Sequence, residues 1–268
     1  MRRLLPLAPA LLFLAGFFVL PMLDIVGRSI TAADGSLTLA RYALLFGDAF
    51  YLRAMAETLA LSAGVTLLCV LAGYPVAYYL VRHAGRWRGV ILFTLVAPLL
   101  TSIIMRTFGW QVLFARRGPV NLLLEGLGLV EAPIRFTGSL GIAIAALVHV
   151  LLPFMVLSIT PVLQSIDRRL EEAAAILGAG RFRAFLEVTL PLSWEGILTG
   201  CILVFMVANG SFVTLLLLGG GLQTLPLLIY QQFNTTRDFG MVSAMSTVLL
   251  LLALACLALQ LRLVRKGG

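Results

Sequence analysis

Few residues in this chain could make or break a bond, and they are scattered. There are two histidines, His83 and His149, and three cysteines. Cys69, Cys201 and Cys256 all lie inside apolar runs, where a thiol serves as a small packing group rather than as a disulfide partner or ligand. No H-E-x-x-H motif puts two imidazoles on one helix face, and no G-x-x-x-x-G-K-[ST] loop is there to cradle phosphates. Neither catalytic residues nor a metal site is expected. The spacing that stands out is mechanical instead: Glu172, Ala173 and Ala174, then Gly178, then Val188, then Leu190-Pro191. It predicts a short rigid helix able to sit in a groove of another protein.

Each residue type in that pattern has a physical job. Ser165 and Asp167 can cap a helix start, and Glu171 and Glu172 fall in its first turn, where carboxylates complement the dipole. Arg168 and Glu172 are spaced to pair, and Leu170, Ala174 and Leu177 share one face. The alanines keep helix propensity high with little bulk, so a partner surface can come close. Gly178 and Gly180 permit the positive φ that ends the helix. A second short helix should run from Arg181 to about Val188 and stop at Pro191, which closes a loop over residues 165–193.

The elements that must carry this loop are membrane spans. Hydrophobic residues make up 60% of the chain and charged residues 12%, with mean hydropathy +1.03. Soluble domains carry about 25% charged residues. The expected fold is all-α and polytopic, one transmembrane domain over 1–268. Its six spans lie at about 4–30, 54–81, 89–114, 141–162, 196–218 and 240–263. The opening Met1-Arg2-Arg3 and apolar run read as an uncleaved first span, since no small-x-small site follows.

Most Lys and Arg fall in one set of aqueous segments: Arg2 and Arg3; Arg82, Arg86 and Arg88; Arg168, Arg169, Arg181 and Arg183; Arg262, Arg265 and Lys266. The positive-inside rule makes that side cytoplasmic, with both termini and the Glu-Ala-Ala loop. The net charge of +8 is thus explained by the bilayer, and nucleic acid is not an expected partner.

The seven positions Glu172, Ala173, Ala174, Gly178, Val188, Leu190 and Pro191 resemble the cytoplasmic coupling loop of binding-protein-dependent ABC permeases, with Val188 in place of the usual isoleucine. The segment TSIIMRTFGWQVLFARRGPVN, residues 101–121, is similar to the third span of the spermidine/putrescine-type group at Arg106, Thr107, Trp110, Gly118 and Asn121. Residues 212–233 are similar to its fifth span and outer loop.

The resemblance implies a peripheral first helix beside a five-helix core in a bacterial inner membrane. It also implies a second, distinct permease chain, two ATPase subunits and a substrate-binding protein outside. ATP and magnesium would act on the partner ATPase, with no cofactor on this chain. The implied cargo is a polyamine such as spermidine or putrescine, with ferric iron, thiamine or a phosphonate as alternatives. An ion-coupled secondary transporter is the remote alternative; it would show several carboxylates in mid-span.

Polar residues in or near hydrocarbon are the candidates for a substrate path. Glu57 either attracts a cation at the outer surface or is a solvated acid at the interface, and Arg106 either snorkels there or lines the path. Trp110 stacks on cargo or anchors at the interface. Asn209 and Ser211 interrupt the fifth span, where they either pack helices or line a cavity.

Overall fold

The computed structural model describes residues 8–32 and 34–267, with side chains through Arg262. Arg2, Arg3 and the first residues of the expected opening span lie outside the described residues, as do the side chains of Arg265 and Lys266. Among the described residues, four helices are long and apolar enough to cross a membrane: α1 (Pro9–Ile30), α3 (Ala49–Arg82), α7 (Leu140–Ser165) and α13 (Phe239–Arg262). Two bent pairs would raise the number to six. The first is α4 (Gly85–Leu100) with α5 (Ile103–Leu113), bent by 103°, and the second is α9 (Arg181–Leu192) with α10 (Trp194–Asn209), bent by 63°. Shorter helices fill the connections: α2 (Ala40–Gly47), α6 (Pro119–Gly126), α8 (Arg168–Ile176), α11 (Val213–Leu218) and α12 (Leu225–Thr235).

The third span therefore differs from the continuous helix expected over 89–114. Thr101 and Ser102 take extended backbone angles and turn the chain. At this turn the carbonyl of Pro98 accepts from Thr101 N–H at 3.4 Å, from Thr101 Oγ1 at 2.9 Å and from Arg106 Nη1. Broken helices are tolerated in membranes when such side chains take over the backbone groups. The fifth span likewise ends at Asn209 instead of running to 218; Gly210, Ser211 and Phe212 separate it from α11.

The chain divides into two units. The larger, Glu57–Leu222 with the C-terminal end, is organised around α7. Leu151, Met155, Val156, Ile159 and Leu163 of α7 are buried completely or nearly so. Small residues let the neighbouring helices close on them. A Cβ on Gly73 of α3 would come within 2.9 Å of Met155 Cγ, and one on Gly196 of α10 within 3.1 Å of the Ile159 backbone. Gly196 and Gly200 are four apart, the small-x-x-x-small spacing that brings membrane helices together. Met155 is a knob whose socket is Gly73 and Gly200.

The smaller unit, residues up to Ala56 with Gln223–Leu254, buries Leu45, Met55, Leu225, Leu228, Met241 and Met245. Arg41 of α2 closes the end of α1: its Nη1 donates to the carbonyls of Arg28 at 3.1 Å, Ser29 at 3.4 Å and Thr31 at 2.8 Å. That guanidinium caps carbonyls a helix end leaves open. Along α1, large apolar side chains such as Leu12, Phe13, Phe17 and Leu23 stay exposed, as suits a lipid-facing helix. Asp24 and Arg28 pair at 2.7 Å near its end, as their spacing predicts.

Two helices carry a π-turn, at Ala15–Val19 and Phe185–Thr189, and each turn is followed after one residue by a proline, Pro21 or Pro191. A proline in a helix lacks an N–H and clashes with the carbonyl four residues back. The wider i→i+5 turn relieves that clash. Leu190 N–H accordingly bonds to Phe185 O. α9 ends at Leu192, one residue past Pro191 and close to the stop expected from the sequence, and the 63° bend to α10 follows.

Candidate functional site

The loop between α7 and α10 is built as a projecting helix on a fixed base. Asp167 caps α8, its side chain accepting from Arg169 N–H at 2.9 Å. Ser165 does not share this task, because its hydroxyl donates back to Val162 O. Gly178 ends the helix at φ +88°, as required where Leu177, Gly178 and Ala179 N–H groups fold back on Ala173, Ala175 and Ala174 carbonyls. Gly180, expected to share the positive φ, is extended instead and begins α9.

The tip of α8 points its apolar side chains at solvent: Ile176 is 87% exposed and Leu177 88%, with Phe182 exposed beside them. Glu172, Ala173 and Gly178 are exposed too, and Ala174 is half-buried. Arg168 and Glu172 approach to 3.9 Å on the open surface. At the other end of the motif, Val188 is half-buried, Leu190 packs against the core and Pro191 is exposed.

The base depends on Glu171, which the sequence reading left in its neighbour's shadow. Its Oε1 accepts from Arg82 Nη2 at 3.0 Å and from Thr189 Oγ1 at 2.9 Å. The Arg82 and Glu171 side chains are only 10% and 19% exposed. Arg82 also donates to Ile166 O at 3.3 Å, so one guanidinium fastens the end of α3 to both sides of the α7–α8 turn. Nothing local in the sequence selects Glu171 over Glu172, since its partner lies far back on α3.

A second tie secures the 63° bend. Tyr74 and Ser193 hydroxyls meet at 2.8 Å, and Ser193 donates to Leu190 O at 3.0 Å, so Tyr74 is the donor of the pair. Both residues are buried. Tyr74 and Tyr78 also meet the ring of Phe185 edge-on.

The candidate path residues fall into separate groups. Arg106 and Trp110 stand one turn apart on α5. Arg106 bonds to Pro98 O, and Trp110 stacks on Phe114 at 5.3 Å and meets His149 of α7 at 5.9 Å. His149 is exposed in a groove of about 380 Å³ with Pro98 and Leu152. Gln111, not singled out from sequence, ties α5 to α11 through Leu217 O at 2.7 Å. Asn209 and Ser211 sit at the break after α10. Asn209 is 3% exposed with Oδ1 unpartnered, and Ser211 N–H bonds to Ala208 O. Glu57 is half-buried, more than two turns inside α3, because that helix begins at Ala49 rather than near residue 54. Asn121, fully buried, holds the segment after α5 by bonds to Ala115 and Ile134.

This loop therefore joins a projecting helix with an apolar tip to a buried polar base, in a chain that resembles known proteins over nearly its whole length. Residues 11–266 match the family described as "Binding-protein-dependent transport system inner membrane component". The chain belongs to that family.

It is thus the membrane-embedded, non-catalytic component of such a system, a multi-pass permease subunit of an ABC importer. It is 36% identical to the spermidine/putrescine transport system permease protein PotB of Haemophilus influenzae, over 86% of this chain and 83% of that one. It is 35% identical to a probable molybdenum ABC transporter permease protein of Haloferax volcanii, over 73% and 68%. Its fold is similar to a chain of a bacterial ABC transporter involved in the import of the acidic polysaccharide alginate. That likeness has TM-score 0.78 at 18% identity and covers 97% of this chain and 93% of the other.

Proposed function

We propose that this permease subunit imports a polyamine, such as spermidine or putrescine, and converts the motion of an ATPase into opening of the path through α8. The observation that carries the lever is the contrast within one loop: an exposed Ile176–Leu177 tip above the buried Arg82–Glu171–Thr189 base. An apolar tip exposed to water gains from being covered by a partner, and a fixed base passes the partner's displacement to α3 and α10. In this reading Glu172, Ala173, Ala174 and Gly178 form the docking surface, and Val188, Leu190 and Pro191 join it to the membrane helices. Two ATPase subunits hydrolyse ATP with magnesium, a second and distinct permease chain completes the path, and a binding protein delivers cargo. Both termini and α8 face the cytoplasm, which the basic clusters support.

The likeness to the spermidine/putrescine permease supports the cargo. Glu57, Arg106, Trp110, Asn209 and Ser211 are the proposed path residues, of which Asn209 keeps a buried carbonyl oxygen free for a ligand's N–H. A second reading, an oxyanion cargo, draws on Arg106 and His149 lying around Pro98 and on the similar molybdenum permease.

Affinity purification from native membranes tests the lever: an ATPase should co-purify and be lost in Glu172→Lys with Gly178→Val. A chain that purifies with no nucleotide-binding partner sinks it. Uptake of labelled spermidine by vesicles holding the whole importer, with molybdate as competitor, decides the cargo. Competition by molybdate and not by putrescine would overturn the polyamine reading.

A further inference from the structure

On the inner side of α8, facing the end of α3, lies an open cavity of about 520 Å³. Arg82, Arg168, Arg181, His83, Tyr78 and Glu171 supply its polar lining. Three guanidiniums thus line the cavity beside one lining carboxylate, which already accepts from Arg82 and Thr189; Arg168 also lies 3.9 Å from Glu172 on the open surface. Arg82 is nine-tenths buried, yet its Nε has no hydrogen-bond partner. A buried guanidinium N–H without an acceptor bears a desolvation penalty that an anion in the cavity would remove. The rest of the wall is apolar, with Phe185, Phe182, Ala175 and Ala179.

We propose that this cavity is a binding site for a phosphate-bearing anion. Planar guanidiniums match phosphate oxygens in pairs, and three around one cavity suit a group with several acceptor oxygens better than a lone carboxylate. The phosphate comes either from a phospholipid headgroup or from solution. The basic run of Arg82 at the end of α3 with Arg86 and Arg88 at the start of α4 suits headgroup level, and the apolar wall suits the glycerol end of a lipid. An occupant would bridge Arg82 to Arg168 and Arg181, and so join α3 to both limbs of the lever. The site requires only that the chain is a membrane component and is independent of the cargo; it also requires that no partner side chain fills the cavity.

The test uses the full chain with whatever co-purifies, in nanodiscs of phosphatidylcholine with phosphatidylglycerol, read by native mass spectrometry. The wild type is expected to retain phosphatidylglycerol, and Arg168→Ala with Arg181→Ala to weaken retention roughly tenfold or more. Arg168→Lys with Arg181→Lys should keep most of it, which separates lost charge from lost folding. Arg86→Ala with Arg88→Ala, equally basic and outside the cavity, should change nothing. Displacement by inorganic phosphate assigns the site to a soluble anion, and its failure assigns it to the lipid. The proposal is overturned if neither probe binds the wild type, or if both alanine pairs lose lipid equally. Efficient cross-linking of Ala179→Cys to a co-purified protein would also overturn it, because a partner side chain would then fill the cavity. Retained lipid with no ATPase would instead sink the importer reading and leave this site standing.

Discussion

The molecule bends sharply in two places, and the bends are held differently. The 63° bend between α9 and α10 rests on buried groups from a distant helix: Tyr74 on Ser193, with Arg82 gripping Glu171 nearby. The 103° bend between α4 and α5 rests on its own neighbours, Thr101 and Arg106 sharing the carbonyl of Pro98, amid exposed residues. Buried long-range ties open only with the core around them. Local ties at an exposed bend can be exchanged for other polar partners at little cost. On the proposed function, the bend beside α8 would transmit displacement, and the bend near Arg106 and Trp110 would be the one to change angle.

The largest effect should come from Glu171→Ala, which leaves the buried Arg82 charge unmatched. A loss of about 3–5 kcal/mol is expected, with transport uncoupled from ATP hydrolysis. Thermal unfolding in detergent alongside vesicle uptake checks it; a Tm within error of wild type would place the two bends on equal footing. Next, Ser193→Ala strands the Tyr74 hydroxyl and should lose about 1–3 kcal/mol. Adding Tyr74→Phe should restore much of that, because both partners are then gone. A double-mutant cycle with no coupling term would break the claim of a buried tie. At the other bend, Arg106→Gln should lose no more than about 1 kcal/mol, since Thr101 still caps Pro98 and Gln can donate. Its transport rate should nonetheless fall, measured as uptake at constant ATPase docking. The smallest stability change is expected for Glu172→Gln, within about 0.5 kcal/mol because its ion pair with Arg168 is exposed. Only ATPase co-purification should respond.

The sequence disclosed the lever more fully than its base. Asp167, Gly178 and the alanines announce themselves because caps, chain reversals and helix propensity are local properties. Glu171 with Arg82, and Tyr74 with Ser193, could not be read, because the pairing is made by α3 returning to the loop from far along the chain. Hydropathy marked the apolar run over 89–114 but not the 103° turn inside it, since Thr101 and Ser102 barely interrupt that run while their backbone angles end the helix. Pro191 was legible as a stop to within a residue, the helix ending at Leu192, but the π-turn that accommodates it was not. The path residues were legible only as polar groups in apolar surroundings. Which of them share a surface follows from the bends, and the bends were not foreseen.

The π-turn at Phe185–Thr189 has a consequence for how this loop tolerates insertions and deletions. A π-turn holds one residue more than an α-turn over the same stretch of axis. Removing one residue between Gly180 and Pro191 would let that turn revert to α-helical winding, with the helix beyond it nearly in phase. An insertion, or a second deletion, would instead rotate everything downstream by about 100° relative to α8. Ser193 would leave Tyr74, and Thr189 would leave Glu171. The interval between Gly178 and Leu190-Pro191 thus acts as a phase setting for the helix, and in this loop residue number should be guarded more closely than residue identity.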